Sequence, residues 1–168
     1  LSSLGIDLPP DALKVKCLCK GHNSFLAPLD TFAGELFDEV DKFWKLEKQT
    51  INVGSQALEH WMLKCLCGLI STGKIEFNGK KFSQTDIKNE WLNVLLGNST
   101  LSNGLGLYIH FNLGDKIDTN KTIAIAPQFI ENSLAGLRLE VRGITFMLSL
   151  VPPEAAFKKP IEETNILY

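Results

Sequence analysis

Hydrophobic residues between positions 28 and 97 recur every three or four residues, the spacing that lines one face of an α-helix. The first stripe predicts a helix that starts at Pro28, a residue suited to a first helical turn. A second helix is predicted from Ser55, which can cap its N-terminus, to Gly73, which suits a left-handed C-terminal cap. The stripes consist of Phe32, Leu36, Phe37, Val40, Phe43 and Trp44, and of Leu58, Met62, Cys65, Leu66, Leu69 and Ile70.

A turn signal and a helix-start signal follow the second helix. Asn78-Gly79 accepts the positive φ angles of a tight turn, so the segments on either side of it predict a small β-hairpin. Ser83 and Asp86 have the spacing of a capping box, which predicts the start of a third helix. The apolar side of that helix consists of Ile87, Trp91, Val94 and Leu95.

After residue 100 the hydrophobic period shortens to 2, which is typical of half-buried β-strands. Strands are predicted at residues 107–113, 121–126, 137–141 and 144–151. Pro127 is expected to end the second strand, because proline cannot donate to a strand ladder. The pattern therefore predicts an antiparallel β-meander of about four strands.

Helices that are segregated from strands predict an α+β fold, with the sheet packed against the helical segment. We expect one domain over residues 1–168, with an irregular lead-in at 1–27, a mainly helical part at 28–97 and an antiparallel sheet at 104–151. The chain starts at Leu1 rather than at Met and has no signal-peptide pattern. We therefore expect it to be a piece of a longer protein.

Composition and charge narrow the classes of function. Hydrophobic residues make up 45% and charged residues 21%, which is globular, and no apolar run has the length of about 18 residues that predicts a membrane span. The net charge of −2 argues against a whole-domain, non-specific nucleic-acid binder. The cysteines are grouped as Cys17/Cys19 and Cys65/Cys67, a spacing that rarely forms disulfides. A reducing, cytoplasmic location without membrane contact is expected.

The candidate chemistry is concentrated just before the first predicted helix. A thiol, an imidazole and a carboxamide lie within five residues at Cys19, His22 and Asn23, and Asp30 follows. About residues 13–30 resemble the second half of an HNH-type zinc-knuckle nuclease module, in which a metal-ligand pair is followed by Asn, then Leu and later Asp. The resemblance implies that Cys19 and His22 are the second ligand pair, with Cys17 as a further candidate, and that zinc is the metal. The first ligand pair and the catalytic His of that family would lie upstream, outside residues 1–12.

Two other interpretations of this segment remain open. Cys19 is explained equally by burial as a small hydrophobic residue, with His22 and Asn23 satisfying backbone groups at the helix entrance. Alternatively, His22 could activate Cys19 as a nucleophile, with Asn23 orienting the imidazole.

The remaining polar candidates favour structural roles. Cys65 and Cys67 lie two residues apart in a helix and cannot chelate one metal from one face, so core packing is expected. His60 is interpreted as a surface or hydrogen-bonded residue. The first helix is expected to carry a solvated acidic face, made by Glu35, Asp38, Glu39 and Asp41.

One face of the first strand after residue 100 also carries polar candidates. Tyr108, His110 and Asn112 would share the polar face of their strand, as a ligand pocket or as a solvated surface.

Two functions from different classes follow. The first is a nucleic-acid-associated protein with the remnant of an HNH-like zinc module, whose contact with nucleic acid involves the longer chain. The second is a non-catalytic domain that binds a protein or a small ligand. No phosphate-binding loop, nucleophile elbow or His-Glu-x-x-His string occurs in the sequence. The HNH-like resemblance implies nuclease activity only if the upstream half of the module exists.

Overall fold

The computed structural model describes residues 20–102, 104–110, 123–152 and 162–163, with the backbone alone at 110, 162 and 163. Within these residues three α-helices precede a mainly antiparallel sheet, and the α+β class predicted from the sequence is confirmed. None of the described helices is long and apolar enough to cross a membrane.

The first helix, α1, spans Lys20–Trp44 and starts earlier than predicted. Residues 20–27, expected to be irregular, are helical, and Pro28 lies inside the helix rather than in its first turn. The physical reason is that the buried stripe continues past Pro28 to Leu26, which is only 3% exposed. Packing of this leucine extends the helix in spite of the backbone hydrogen bond that a proline removes.

The second helix, α2, spans Ser55–Ser71 and occupies the centre of the described part of the chain. It packs against α1 on one side and against the sheet on the other. Its buried residues are Leu58, Trp61, Met62, Leu63, Leu66, Cys67, Leu69 and Ile70.

The predicted hairpin forms between β1 (Glu76–Phe77) and β2 (Lys80–Lys81). Its turn has positive φ at both Asn78 and Gly79, as the tight turn requires. The capping signal is also present, since the backbone N–H of Ser83 donates to Asp86 Oδ2 at 2.9 Å.

The capping signal begins a different element from the one predicted. It closes a 3₁₀ turn at Gln84–Asp86, and the third helix, α3, is a separate short helix at Asn89–Leu95. Ile87 adopts an extended conformation between the two, which interrupts the helix that the hydrophobic pattern had predicted.

The main sheet has the order β3-β6-β5-β4-β7 among the described residues, with all neighbours antiparallel. Strands β4 to β6 form the expected meander, whereas β3 pairs with β6 rather than with β4. The strands are β3 (Gly106–His110), β4 (Ile123–Ile130), β5 (Ser133–Val141), β6 (Ile144–Ser149) and β7 (Glu162–Glu163).

Strand β4 continues through Pro127, which was expected to end it. On its β7 side, β4 is paired only at Gln128 and Phe129 within the described residues, so Pro127 does not interrupt that pairing. A bulge follows directly, between Gln128 and Phe129. Gly136 lies opposite this bulge, where an added Cβ would come within 1.9 Å of the carbonyl oxygen of Leu148. The sheet backbone thus approaches too closely for any other residue.

The face of the sheet toward α2 forms the core. Phe129 is fully buried and stacks on Phe77 of the hairpin, with ring centroids 4.3 Å apart. Ile109 departs from the predicted alternation, since it is 47% exposed. The hydrogen bond between α2 and this strand lies two residues earlier. There the backbone N–H of Leu107 donates to Glu59 of α2. The other core residues of the sheet are Leu137, Leu139, Val141, Phe146 and Leu148.

Candidate functional site

The start of α1 carries the described part of the HNH-like segment. His22 and Asn23 lie in the first turn of the helix and both are exposed. Cys17 and Cys19 lie outside the described residues, so the predicted metal pair is represented here by His22 alone. The exposed imidazole lies outside the hydrophobic core.

Asp30, the other residue of the segment, is separated from His22 by two turns of α1. Eight residues of α-helix span about 12 Å along the axis, so the carboxylate and the imidazole do not form one site. Instead, Asp30 Oδ2 accepts a hydrogen bond from Lys64 Nζ of α2 at 2.6 Å. The same ammonium donates to the carbonyl oxygen of Leu26 at 3.2 Å. Asp30 therefore contacts the neighbouring helix.

The thiols of α2 have the packing role predicted for them. Cys67 is 8% exposed within the hydrophobic core, and Cys65 packs against that core. Burial, and to a smaller extent the negative charge of Asp30, raise the pKa of Cys65 to about 12. The Cys65 thiol is consequently protonated at neutral pH, which removes the thiolate that a nucleophile or a metal ligand needs.

The remaining charged and imidazole groups do not assemble a metal centre. In the part of the chain that the structure describes, no group of three or more His, Cys, Asp or Glu residues could hold an ion. Asp41 is bound to Arg142 Nε at 2.7 Å and to Lys45 Nζ at 3.2 Å, and Glu39 is paired with Lys48. The acidic side chains of α1 are thus half-exposed or exposed, as predicted. Among them, Glu39 and Asp41 form ion pairs.

The sheet face away from α2 brings the second group of candidates into register with other polar residues. Tyr108 of β3 is paired with Met147 of β6, which is paired with Arg138 of β5. Position 110 is opposite Thr145, which is opposite Glu140. Asn112 lies outside the described residues. We call these two cross-strand rows the outer-face rows.

The outer-face rows contain an ion pair that the sequence analysis did not single out. Arg138 Nη1 lies 3.0 Å from Glu140 Oε2, with the two side chains 25% and 12% exposed. Their i, i+2 spacing between the buried residues of β5 places both on this face. At the rim, Tyr108 is 42% exposed and its hydroxyl donates to the carbonyl oxygen of Gly104 at 2.9 Å. The face therefore offers hydrogen-bonding and charged groups together.

Glu59 of α2 connects this surface to the helices. Its Oε2 accepts the backbone N–H of Leu107 at 3.2 Å, at the start of β3. An added Cβ on Gly106 would come within 2.6 Å of the same oxygen, so the glycine makes this approach possible. The alternation of polar and apolar residues in the sequence gave no signal for this contact.

Comparison of the chain with protein-family models, with curated proteins and with solved structures finds no match.

Proposed function

We propose that this chain belongs to a nucleic-acid-associated protein and carries the second half of an HNH-like zinc-binding module. In this proposal Cys19 and His22 are zinc ligands, Cys17 is a further candidate, and Asn23 and Asp30 are the motif residues that follow. The α+β body is the scaffold to which α1 attaches the module. Catalysis is not assigned to these residues, because the ligand pair and catalytic His upstream are required for it.

The observation that carries the proposal is the position of His22 and Asn23. Both side chains are exposed in the first turn of α1, a helix of 25 residues whose later turns pack against the core. A helix anchored by its later turns is a rigid support for groups at its start. This arrangement favours a role outside core packing for the imidazole.

The chemistry of the donors also suits zinc. Structural zinc sites use four ligands in a tetrahedral arrangement, commonly thiolates and imidazoles. His22 would supply one nitrogen, and Cys19 with Cys17 would supply sulfur. In this proposal the upstream half of the module supplies the remaining ligands.

The test is elemental analysis of the protein expressed from its complete gene. We expect one bound zinc, lost in Cys19→Ser and in His22→Ala. His60→Ala is the matched control and should retain the metal, because His60 is half-buried in α2 and distant in sequence. Zinc that persists in both ligand variants would contradict the ligand assignment.

The association with nucleic acid has its own measurement. We expect the zinc-loaded protein to bind a short fluorescent duplex at low salt, with affinity that falls as salt rises because phosphate contacts release counterions. Binding that is absent at low salt would remove the nucleic-acid part of the proposal and leave the metal site standing.

A second candidate function is a non-catalytic domain that binds a small polar ligand on its outer-face rows. The observation that favours it is the register that aligns Tyr108, Met147 and Arg138 across three strands. A screen of small polar compounds by NMR should then shift the amide signals of β3, β5 and β6. Tyr108→Ala should weaken the shifts, whereas Leu46→Ala, on a distant exposed loop, should not.

A further inference from the structure

We infer that Lys64 is a positioning residue, which holds the His22-bearing end of α1 in a fixed orientation on α2. This inference rests on the proposed function, since it assigns to Lys64 and Asp30 the support of the zinc-binding segment. It also separates Asp30 from the metal: this residue of the HNH-like string acts through an ion pair with α2.

The geometry of Lys64 is that of a bridge between two helices. Its side chain is only 14% exposed, and its ammonium reaches two acceptors on α1, the carboxylate of Asp30 and the carbonyl oxygen of Leu26. Hydrogen bonds from a charged donor are stronger than those between neutral groups, and partial burial reduces competition from water. The Asp30 carboxylate is 60% exposed, so the restraint on α1 comes from the two bonds of the shielded ammonium together.

The position of the bridge matters because of Pro28. A proline inside a helix has no N–H, so the carbonyl oxygen of Ser24 lacks its usual partner four residues later. Leu26 and Asp30 lie two residues before and two residues after Pro28. Lys64 thus ties α1 to α2 next to the turn in which the hydrogen-bond ladder of α1 is interrupted.

Apolar packing supports this arrangement. Leu26 is 3% exposed, so the turn before Pro28 is also held by the packing of this leucine. The turn that carries His22 and Asn23 lies immediately N-terminal to this contact between α1 and α2.

Hydrogen–deuterium exchange of the complete protein tests the positioning role without relying on metal. We expect Lys64→Met to speed exchange of the amides of residues 20–27 by about tenfold, the loss typical of hydrogen bonds from a charged group, while α2 and β5 are unchanged. Lys64→Arg should restore slow exchange. Lys45→Met is the control, since it removes an exposed ion pair of α1 far from Pro28.

Unchanged exchange at residues 20–27 in Lys64→Met would overturn the inference. If that variant fails to fold, Asp30→Asn removes the ion pair from an exposed side chain and should speed exchange at residues 20–27 by a smaller factor, because the bond from Lys64 to the Leu26 carbonyl remains. Asp30→Asn without any effect would also overturn it.

Zinc affinity, measured by competition with a chelator, separates this inference from the proposed function. We expect several-fold weaker binding in Lys64→Met and recovery in Lys64→Arg. A wild-type protein that binds no zinc would contradict the proposed function, while the exchange data would still decide the role of Lys64. Zinc affinity that is equal in all variants, despite a change in hydrogen–deuterium exchange, would contradict the link between the Lys64 contact and metal binding.

Discussion

Helices α1 and α2 pack against each other, but they are buried in different ways. In α2 the consecutive residues Trp61, Met62 and Leu63 are all buried, although two helical steps turn through about 200°. This helix is covered by α1 and by the sheet. In α1 the buried residues form one stripe, at Leu26, Ala33, Leu36 and Val40.

The difference shows how burial decides which polar groups are available for chemistry. The thiol of Cys65 in α2 is held protonated, and the ammonium of Lys64 is used to bind α1. At the start of α1, His22 and Asn23 remain at the surface. These polar groups are therefore structural in α2 and exposed at the start of α1.

The largest expected effect comes from a cavity in α2. Leu66 is fully buried, and Leu66→Ala should destabilise the protein by about 2–5 kcal/mol through lost burial and an unfilled cavity. Leu46 is 90% exposed, so Leu46→Ala should change stability by less than about 0.5 kcal/mol. Urea unfolding measures both, and equal losses would contradict the central position of α2.

A pair of glycine substitutions sharpens the contrast between the sheet under α2 and the open side of α1. Gly136→Ala should destabilise by about 1–3 kcal/mol, because its Cβ would overlap the Leu148 carbonyl. Gly34 of α1 has no atom within 4 Å of an added Cβ, so Gly34→Ala should stabilise by about 0.5–1 kcal/mol. Thermal unfolding reports both signs, and a stabilising Gly136→Ala would disprove the close approach.

The ion pair between Asp41 and Arg142 connects the later turns of α1 to the turn between β5 and β6. Both side chains are about one-third exposed, so a double-mutant cycle of Asp41→Asn and Arg142→Met should give a coupling of only about 0.2–1 kcal/mol. A coupling near that of a buried pair would show that α1 is held more tightly to the sheet than its exposure indicates.

The smallest effect is expected at Glu39, on the exposed side of α1. The hydrogen bond from Lys48 lowers the pKa of Glu39 below its ordinary value of 4.5. Such a group stabilises the fold above pH 4.5, and this contribution is lost as pH falls through the lowered pKa. By NMR titration, Lys48→Met should raise the pKa, whereas Lys45→Met should leave it unchanged. An identical titration in Lys48→Met would contradict the pairing.

Much of the fold could be predicted because local signals and tertiary packing agree. The hydrophobic stripe of α2 predicted a buried helix. Asn78-Gly79 predicted the hairpin turn between β1 and β2, because both residues adopt the positive φ angles that this turn requires. Alternation likewise predicted β5 and β6. Boundaries were predicted less well where packing outweighs propensity: α1 starts before Pro28 because Leu26 is buried, and β4 continues through Pro127 because it is paired there with β5.

The candidate site could be predicted only in part, because its contacts join residues far apart in sequence. The pattern singled out His22, Asn23 and Asp30 but gave no reason to place Lys64 beside Asp30, since these lie 34 residues apart. The ion pair of Arg138 with Glu140 could have been predicted from the sequence, because alternate residues of one strand lie on the same face. Its row with Tyr108 depends on β3 lying beside β6, which alternation does not determine.

The central proposal is that the start of α1 binds a metal ion, whereas the packed helices and sheet stabilise the fold. Its most direct test measures zinc content and urea unfolding on the same sample of complete His22→Ala protein, with fluorescence of the buried Trp61 and Trp91 as the folding signal. We expect zinc to fall from one per chain to none, with the unfolding free energy within about 0.5 kcal/mol of that of metal-free wild-type protein. Zinc that is retained in full, or its absence from the wild-type protein, would contradict the claim.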